Sequence, residues 1–266
     1  MIRVIVTGAY GQMGKMIVQA IVQQEDMQIV GAIGRPGHPL IGTDIGEVAR
    51  VGTLGVLLNS ELSMVLPQGD VVIEFTTPSA TIAHLRHVAK AEKAMVIGTT
   101  GYTAEELRQV RKLATHIPCV MAPNMSVGAN VLLQAIQLVA SRLGNDYDVE
   151  VVEAHHHHKV DSPSGTALRM SEVLAETLDR KLEGVGVYRR HGITGVRPKE
   201  QIGIHAIRGG DIPGSHTVLF AGSGERLEIA HHAHSREAFA SGTVRAARWV
   251  VNAPKGLHNI QDMLYQ

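Results

Sequence analysis

The 266-residue sequence holds a single cysteine, Cys119. One thiol closes no intrachain disulfide and builds no zinc site by itself, and the apolar neighbours Ile117, Pro118, Val120 and Met121 predict a core position for it. An excess of one charge is equally missing: 25 Lys and Arg balance 25 Asp and Glu, which sets aside a general nucleic-acid binder with its basic surplus. No apolar run reaches the roughly 20 residues of a membrane helix. No charged leader precedes a hydrophobic segment, because Met1-Ile2-Arg3-Val4 opens a strand at once; no signal peptide is expected, and the expected location is the cytoplasm. Internal repeats and low-complexity linkers are lacking too. Hydrophobic residues at 44% and charged residues at 19% describe an ordinary globular chain, long enough for one large domain or two modest ones. What is plentiful is histidine: of 15, seven fall in two clusters, His155 to His158 and His231, His232 and His234.

The first half alternates strand and helix. Ile2 to Thr7 is a β-branched run ending at Gly8, and a helical pattern follows with Met13, Ile17, Ala20 and Ile21 on one face. Ile29–Ile33, Asp70–Phe75, Ala94–Gly98 and Pro118–Ala122 read as further strands. Ser79 is placed to cap the helix carrying Ile82, Leu85 and Val88. Thr103 and Glu106 have capping-box spacing. Continuous apolar strands between helices predict a doubly wound α/β fold with a parallel sheet covered on both faces. A long helix is expected from Val127 to Leu143, with Val131, Ala135, Leu138 and Val139 inward. Beyond it the pattern changes. Asp148 to Ala154 alternates like an open-sheet strand, Thr166 to Leu178 is helical, and Gly184 to Ala230 suggests short strands and glycine turns. That stretch predicts a second, α+β domain with a mixed open sheet. Glu237 to Val251, with the only tryptophan, Trp249, reads as a final helix.

Gly8-Ala9-Tyr10-Gly11-Gln12-Met13-Gly14 lies between the first strand and the first helix. Glycines there permit a tight turn and let backbone N–H groups approach a pyrophosphate at the helix start. The spacing is G-x-x-G-x-x-G rather than G-x-G-x-x-G, and a glycine turn without a ligand is the alternative. The second strand ends in Ile33-Gly34-Arg35. It lacks the acid that binds a ribose 2′-hydroxyl and offers an arginine suited to a 2′-phosphate, so NADPH is favoured over NADH; a plain solvated loop is the other reading of Arg35. Thr76-Thr77-Pro78, Gly98-Thr99-Thr100-Gly101 and Ala122-Pro123-Asn124-Met125 follow later strands. They are expected to line the nicotinamide and its ribose.

The segment Glu153 to Leu168 carries the chemistry. Histidine exchanges protons near neutral pH, Lys159 offers a cation to a carboxylate, and Ser164-Gly165-Thr166 at a helix start offers N–H groups and hydroxyls to an anion. Together they suggest a small carboxylate substrate. On an unbroken strand His155, His157 and Lys159 would share a face and His156 would point away.

The run from Glu153 to Ala167, E-A-H-H-x-x-K-x-D-x-P-S-G-T-A, closely resembles the signature of the 4-hydroxy-tetrahydrodipicolinate reductases, also called dihydrodipicolinate reductases. Gly8 to Gly14, Gly98 to Gly101, Ala122 to Ser126 and Arg208 to Thr217 support it, so the resemblance spans nearly the whole chain. It implies an oxidoreductase in which NAD(P)H gives hydride to a cyclic dicarboxylate, yielding tetrahydrodipicolinate on the route to diaminopimelate and lysine. It implies His155 as general acid, Lys159 as second donor or carboxylate anchor, and His156 at the substrate. Gly165 and Thr166, with Ser164, would hold one carboxylate. A homotetramer built through the second domain's sheet is also implied. Two positions depart from the family pattern: NAD-accepting members carry an acid where Gly34 stands, and His157 occupies a position that is often arginine. For His155 and His156 both to meet substrate, the strand must end or bulge there.

Rival readings remain at this stage. His155 and His157 with His231 or His234 would supply three metal ligands, opposed by the charge of Lys159. His231, His232 and His234 read otherwise as sheet surface or a subunit contact, with a supporting catalytic role as the alternative, and Arg236 as a weaker candidate for a substrate carboxylate or a solvated helix start. Another imine or carbonyl reductase, such as an aspartate dehydrogenase-like protein, or a nucleotide-sensing protein would share the glycine loop without needing His155 and Lys159. The expected organisation is a discontinuous dinucleotide domain, 1–126 with 236–266, and a substrate and assembly domain, 127–235. Hinges near Ser126-Val127 and Ser235-Arg236 would let the two close on substrate.

Overall fold

In the computed structural model, which describes residues 1–264, the β-branched start of the chain forms β1 (Ile2–Thr7) and the helical pattern after it forms α1 (Gln12–Val22). The alternation continues through β2 (Met27–Ile33), α2 (Ile45–Ala49), β3 (Leu58–Asn59), α3 (Leu62–Val65), β4 (Val71–Glu74), α4 (Pro78–Lys90), β5 (Ala94–Ile97), α5 (Ala104–Ala114) and β6 (Pro118–Met121). Then come α6 (Val127–Leu143), β7 (Asp148–His155), α7 (Gly165–Thr177), α8 (Leu182–Val185), β8 (Gly186–Val187), β9 (Ile202–Arg208), β10 (Gly214–Ala221) and β11 (Arg226–Ala233). The chain closes with α9 (Glu237–Val250), β12 (Gly256–His258) and α10 (Ile260–Leu264). It divides into two compact units: Met1–Val127 with the residues from Arg236 onward, and Gly128–Ser235.

The first unit is built on a seven-stranded sheet in the order β12-β6-β5-β4-β1-β2-β3, every pair parallel. This is the Rossmann-type arrangement the alternation predicts. Successive residues of its strands feed two separate cores. Val4, Val6, Val71, Ile73 and Val96 pack on one face with Ile17, Ile21 and Ala247. Ile5, Val72, Met95 and Ile97 pack on the other with Leu85 and Val110. Burial on both faces is why these strands are apolar throughout. Cys119 is fully buried in the second of these cores, and the surrounding hydrocarbon pushes its thiol up to about 12. The order of connection reverses between β1 and β4, and at such a switch point the strand ends diverge to leave a crevice.

Three details differ from the sequence reading. Thr77, not Ser79, caps α4: its hydroxyl accepts from the Ala80 N–H, and Pro78, whose fixed φ suits a first helical position, follows it. Trp249 is not on the last helix, since α9 gives way to β12, which extends the sheet beyond β6, and to α10. The face of α6 is also turned: Leu132, Ile136 and Ala140 are buried, whereas Val131 and Leu138 are 46% and 59% exposed. Apolar residues surround most of this helix, so two neighbouring ridges fit the helical period equally well and only packing chooses between them.

The second unit carries a mixed five-stranded sheet, β11-β10-β7-β9-β8. β10 runs antiparallel to β7 and β11, while β9 is parallel to β7 and β8. Val149, Val151, Ile204, Val218 and Phe220 meet Leu132, Ile136, Met170 and Leu174 in its core. β7 alternates strictly between buried and half-buried positions. Among the described residues no helix is long and apolar enough to cross a membrane.

Candidate active site

At the carboxyl end of β1 the glycine loop folds as a cradle. Gly8 has φ +65°, and a Cβ there would stand 2.3 Å from the Phe75 carbonyl oxygen. A Cβ on Gly14 would stand 2.2 Å from the Gly8 carbonyl oxygen, so α1 starts in direct contact with the strand it leaves. Among the described residues no side chain caps α1 and its first turn carries no acid, which leaves the positive end of the helix to an anion. Gly8, Tyr10, Gly11, Gly34 and Arg35 border one cleft of about 630 Å³, closed on the other side by Phe75, Thr76, Thr77 and His84. Gly98, Thr99, Thr100 and the Ala122–Met125 loop lie at the ends of β5 and β6 in the same sheet but do not border that cleft.

Behind the cleft lies a group the sequence reading missed. Glu74, at the end of β4, is fully buried. Its carboxylate accepts from Thr7 Oγ1 at 2.8 Å, from Thr76 and Thr81, and pairs with His84 Nδ1 at 2.7 Å. Thr99 joins this set: its hydroxyl accepts from the Thr76 N–H at 3.1 Å and bonds Thr81 Oγ1 at 3.0 Å. A buried carboxylate is tolerated only with such a set of donors.

In the second unit, β7 ends at His155, as both His155 and His156 at one site require. The next residues turn: the His156 N–H donates to Ile212 O, the His157 N–H to Gly210 O, and the Lys159 N–H back to His156 O. The buried face of β7 reads Val149, Val151, Glu153, His155. Glu153 is fully buried and His155 nearly so. Four donors converge on the Glu153 carboxylate: His155 Nδ1 at 2.6 Å, Arg208 Nη1 and Nη2 at 2.8 and 2.7 Å, and the Ser164 N–H at 3.0 Å. Burial alone would raise this carboxyl, but Arg208, His155 and the Ser164 amide together hold it below the usual carboxylate range. A carboxylate only accepts, so the proton of a neutral His155 sits on Nδ1 and Nε2 is the exchanging nitrogen. Beside that nitrogen stands Gly214, where a Cβ would lie 3.1 Å from Nε2.

Ser164 caps α7. Its hydroxyl accepts from the Ala167 N–H at 3.2 Å and bonds His216 Nε2 at 3.1 Å. Ser164 is buried with its groups engaged, so it orients the helix start, and the exposed Gly165 follows as the first helical residue. Among the described residues a Cβ at Gly165 would touch nothing within 4 Å. His216 packs edge-on against His155, ring centroids 5.1 Å apart, and burial, with His155 nearby, drives its pKa down to about 4. Lys159 Nζ pairs with Asp161 Oδ1 at 2.8 Å. Among the described residues, no three His, Cys, Asp or Glu side chains group as metal ligands.

Two family models match in sequence along the chain: "Dihydrodipicolinate reductase, N-terminus" over residues 2–125 and "Dihydrodipicolinate reductase, C-terminus" over 128–264. The chain belongs to the dihydrodipicolinate reductase family. Curated relatives agree. The 4-hydroxy-tetrahydrodipicolinate reductase of Syntrophus aciditrophicus (strain SB) is 48% identical over 264 residues, 99% of this chain and 98% of that protein. The enzyme of that name from Geotalea daltonii (strain DSM 22248 / JCM 15807 / FRC-32) is 50% identical over 264 residues, 99% of both. A solved dipicolinate-bound dihydrodipicolinate reductase from Paenisporosarcina sp. TG-14 superposes with TM-score 0.78 at 26% identity, over 97% of each chain.

Membership in the dihydrodipicolinate reductases makes the chain an NAD(P)H-dependent oxidoreductase. It also sets the sequence reading in context. Within the second unit the structure places His155, Ser164 and the start of α7 around Glu153, with Arg208, Gly214 and His216 beside them. Glu153 had a signal that went unused: it is two residues before His155 on an alternating strand and so shares its face. Arg208 and Gly214 had none beyond their place in the Arg208–Thr217 segment, because register and chain packing bring them to His155.

Proposed function

We propose that this chain reduces 4-hydroxy-tetrahydrodipicolinate, or its dehydrated form dihydrodipicolinate, to tetrahydrodipicolinate in the diaminopimelate route to lysine, with NADPH as preferred reductant. The observation that carries the reading is the Glu153–His155 pair beside the start of α7. The first unit (1–126 with 236–266) is the dinucleotide domain. Gly8 to Met13 hold the pyrophosphate on α1, and Arg35, with no acid at Gly34, meets the 2′-phosphate. Gly98, Thr99, Thr100 and Ala122 to Met125 serve the nicotinamide end. The second unit (127–235) is the substrate and assembly domain.

The cofactor, when bound, supplies the hydride. The protein supplies the proton. Glu153 fixes His155 with its Nε2 beside Gly214, whose lack of a side chain leaves room there for a substrate carbon. As hydride adds to one carbon of the unsaturated ring, electron density moves to the neighbouring carbon, which takes the Nε2 proton of a protonated His155 and leaves the ring neutral with its remaining proton on Nδ1 toward Glu153. Gly165 and Thr166 hold one substrate carboxylate on the positive end of α7, whose direction Ser164 sets. Lys159 exchanges its Asp161 partner for a carboxylate or acts as a second donor, and His156 contacts the ring. Family resemblance supports a homotetramer joined through the second unit's sheet, which light scattering tests, and a cytoplasmic location.

The decisive assay is steady-state turnover on freshly made substrate with NADPH and with NADH. His155→Ala and Lys159→Ala should each lose roughly 10²-fold or more in kcat while NADPH still binds in a fluorescence titration. Comparable efficiency with NADH would overturn the reading of Gly34 and Arg35, and no turnover with either cofactor would overturn the assignment.

A further inference from the structure

Position 34 is glycine for lack of room rather than for backbone freedom. It has none of the positive φ seen at Gly8 or Gly37, and its N–H is held by the Asn59 carbonyl at 2.8 Å. A Cβ there would lie 3.0 Å from both Cδ1 and Cε1 of Tyr10 and 3.2 Å from Leu58 Cδ2. Leu58 is fully buried, so its methyl gives way only by repacking the core around it. Tyr10 is held as well: its ring stacks on His38, centroids 3.9 Å apart and planes 19° from parallel. His38 is fixed in turn by the Leu40 N–H, which donates to its Nδ1 at 3.3 Å, and by its own N–H on Arg35 O at 3.2 Å. Tyr10, Gly34 and Arg35 all border the nucleotide cleft.

We propose that the Tyr10–His38 ring stack is a cofactor-specificity determinant. It crowds the space a side chain at position 34 needs, which turns an acid there away from a ribose 2′-hydroxyl and leaves Arg35 to meet a 2′-phosphate. The inference rests on reading this cleft as the adenosine end of the dinucleotide site. Tyr10 and Gly34 then act as one unit, and their substitutions are coupled rather than additive.

The test is direct binding of NADPH and of NADH, followed by cofactor fluorescence without substrate, to wild type, Gly34→Glu, Tyr10→Gly and the double variant, with turnover alongside. Gly34→Glu alone should weaken both cofactors by about 10-fold, because the acid, crowded by the stacked ring, is turned into the cleft that either nucleotide would fill. With Tyr10→Gly also present, NADH affinity should rise about 10-fold over that single variant while NADPH stays weak. If Gly34→Glu alone gains NADH as fully as the double variant, the stack selects nothing and the inference fails while the cofactor reading stands. Wild type that binds neither dinucleotide overturns both. Should Gly34→Glu not fold, Gly34→Ala replaces it: the added methyl should lower the melting temperature more with Tyr10 present than in Tyr10→Gly, where only the Leu58 contact remains. Equal effects in the two backgrounds overturn the inference.

Discussion

Replacing Glu153 by glutamine exchanges one oxygen for an NH₂ group, and the structure makes that change severe. The carboxylate receives four hydrogen bonds, two on Oε2 from His155 and Arg208 and two on Oε1 from Arg208 and the Ser164 N–H. An amide has one accepting oxygen, so either way round two donors face a donor. The half-buried charge of Arg208 also loses its partner. Breaking a buried ion pair from one side costs about 3–5 kcal/mol. The Arg208 side chain keeps 21% exposure, so water takes up part of its charge and the lower end, about 3 kcal/mol, applies. At roughly 2–4 °C per kcal/mol this lowers the melting temperature by about 6–12 °C. If the amide turns its NH₂ toward His155, the ring must change tautomer and loses the carboxylate that balances its charge when protonated; a comparable change in a catalytic triad removes about 10⁴ in kcat. The expected loss here is about 10²–10⁴, in kcat more than in KM, measured by NADPH oxidation on protein shown to be folded. Folded Glu153→Gln turning over within about threefold of wild type would refute the view that this carboxylate sets the proton donor.

Gly214→Ala should place a methyl 3.1 Å from His155 Nε2 and lower kcat by about 10²-fold, with fluorescence-detected NADPH binding unchanged. His216 is held neutral by burial down to about 4, whereas an unfolded chain binds that proton near 6.5. Stability should therefore fall as pH drops through that window, and in His216→Asn urea denaturation should show a shallower fall. Burial opposes charge on Glu150, but Arg190, His205 and Arg197 hold it down to about 2. Its stabilisation is present above the usual carboxyl range and is lost as pH falls toward 2. Glu150→Gln should be less stable at neutral pH and flatter below about pH 4 in thermal melts, and an unchanged acid limb would remove Glu150 from the account.

The strands were legible because burial on both faces leaves continuous apolar runs such as Val71–Glu74 and Ala94–Ile97. The glycine loop was legible because its backbone conformation and its close approaches at Gly8 and Gly14 admit no side chain. The short elements α2, α3 and β3 were not, since they span two to five residues and no period can establish itself. The face of α6 was misread because its apolar residues form two competing ridges. In the site, His155, Ser164 and Gly165 are neighbours along the chain and could be read from it. Arg208 reaches Glu153 only because β9 runs parallel to β7 with His155 opposite Arg208. Sheet register is a tertiary property, and no local pattern specifies which strand will lie beside β7.

That register also explains how the proposed site is held together where β7 ends. A strand whose buried side begins with Val149 and Val151 anchors itself in hydrocarbon; continuing with Glu153 and His155 would then bury two polar groups at a cost of several kcal/mol were they alone. They are not alone, because β9 ends in Arg208, β10 begins at Gly214 and α7 begins after Ser164, all against the same two side chains. Arg208 keeps Glu153 charged, Glu153 orients His155, and Gly214 has no side chain to crowd His155 Nε2. Each of these groups would be a defect in the core without the next. The proposed proton donor is therefore held on a strand rather than on a loop, with its Nε2 beside Gly214 where the strand ends.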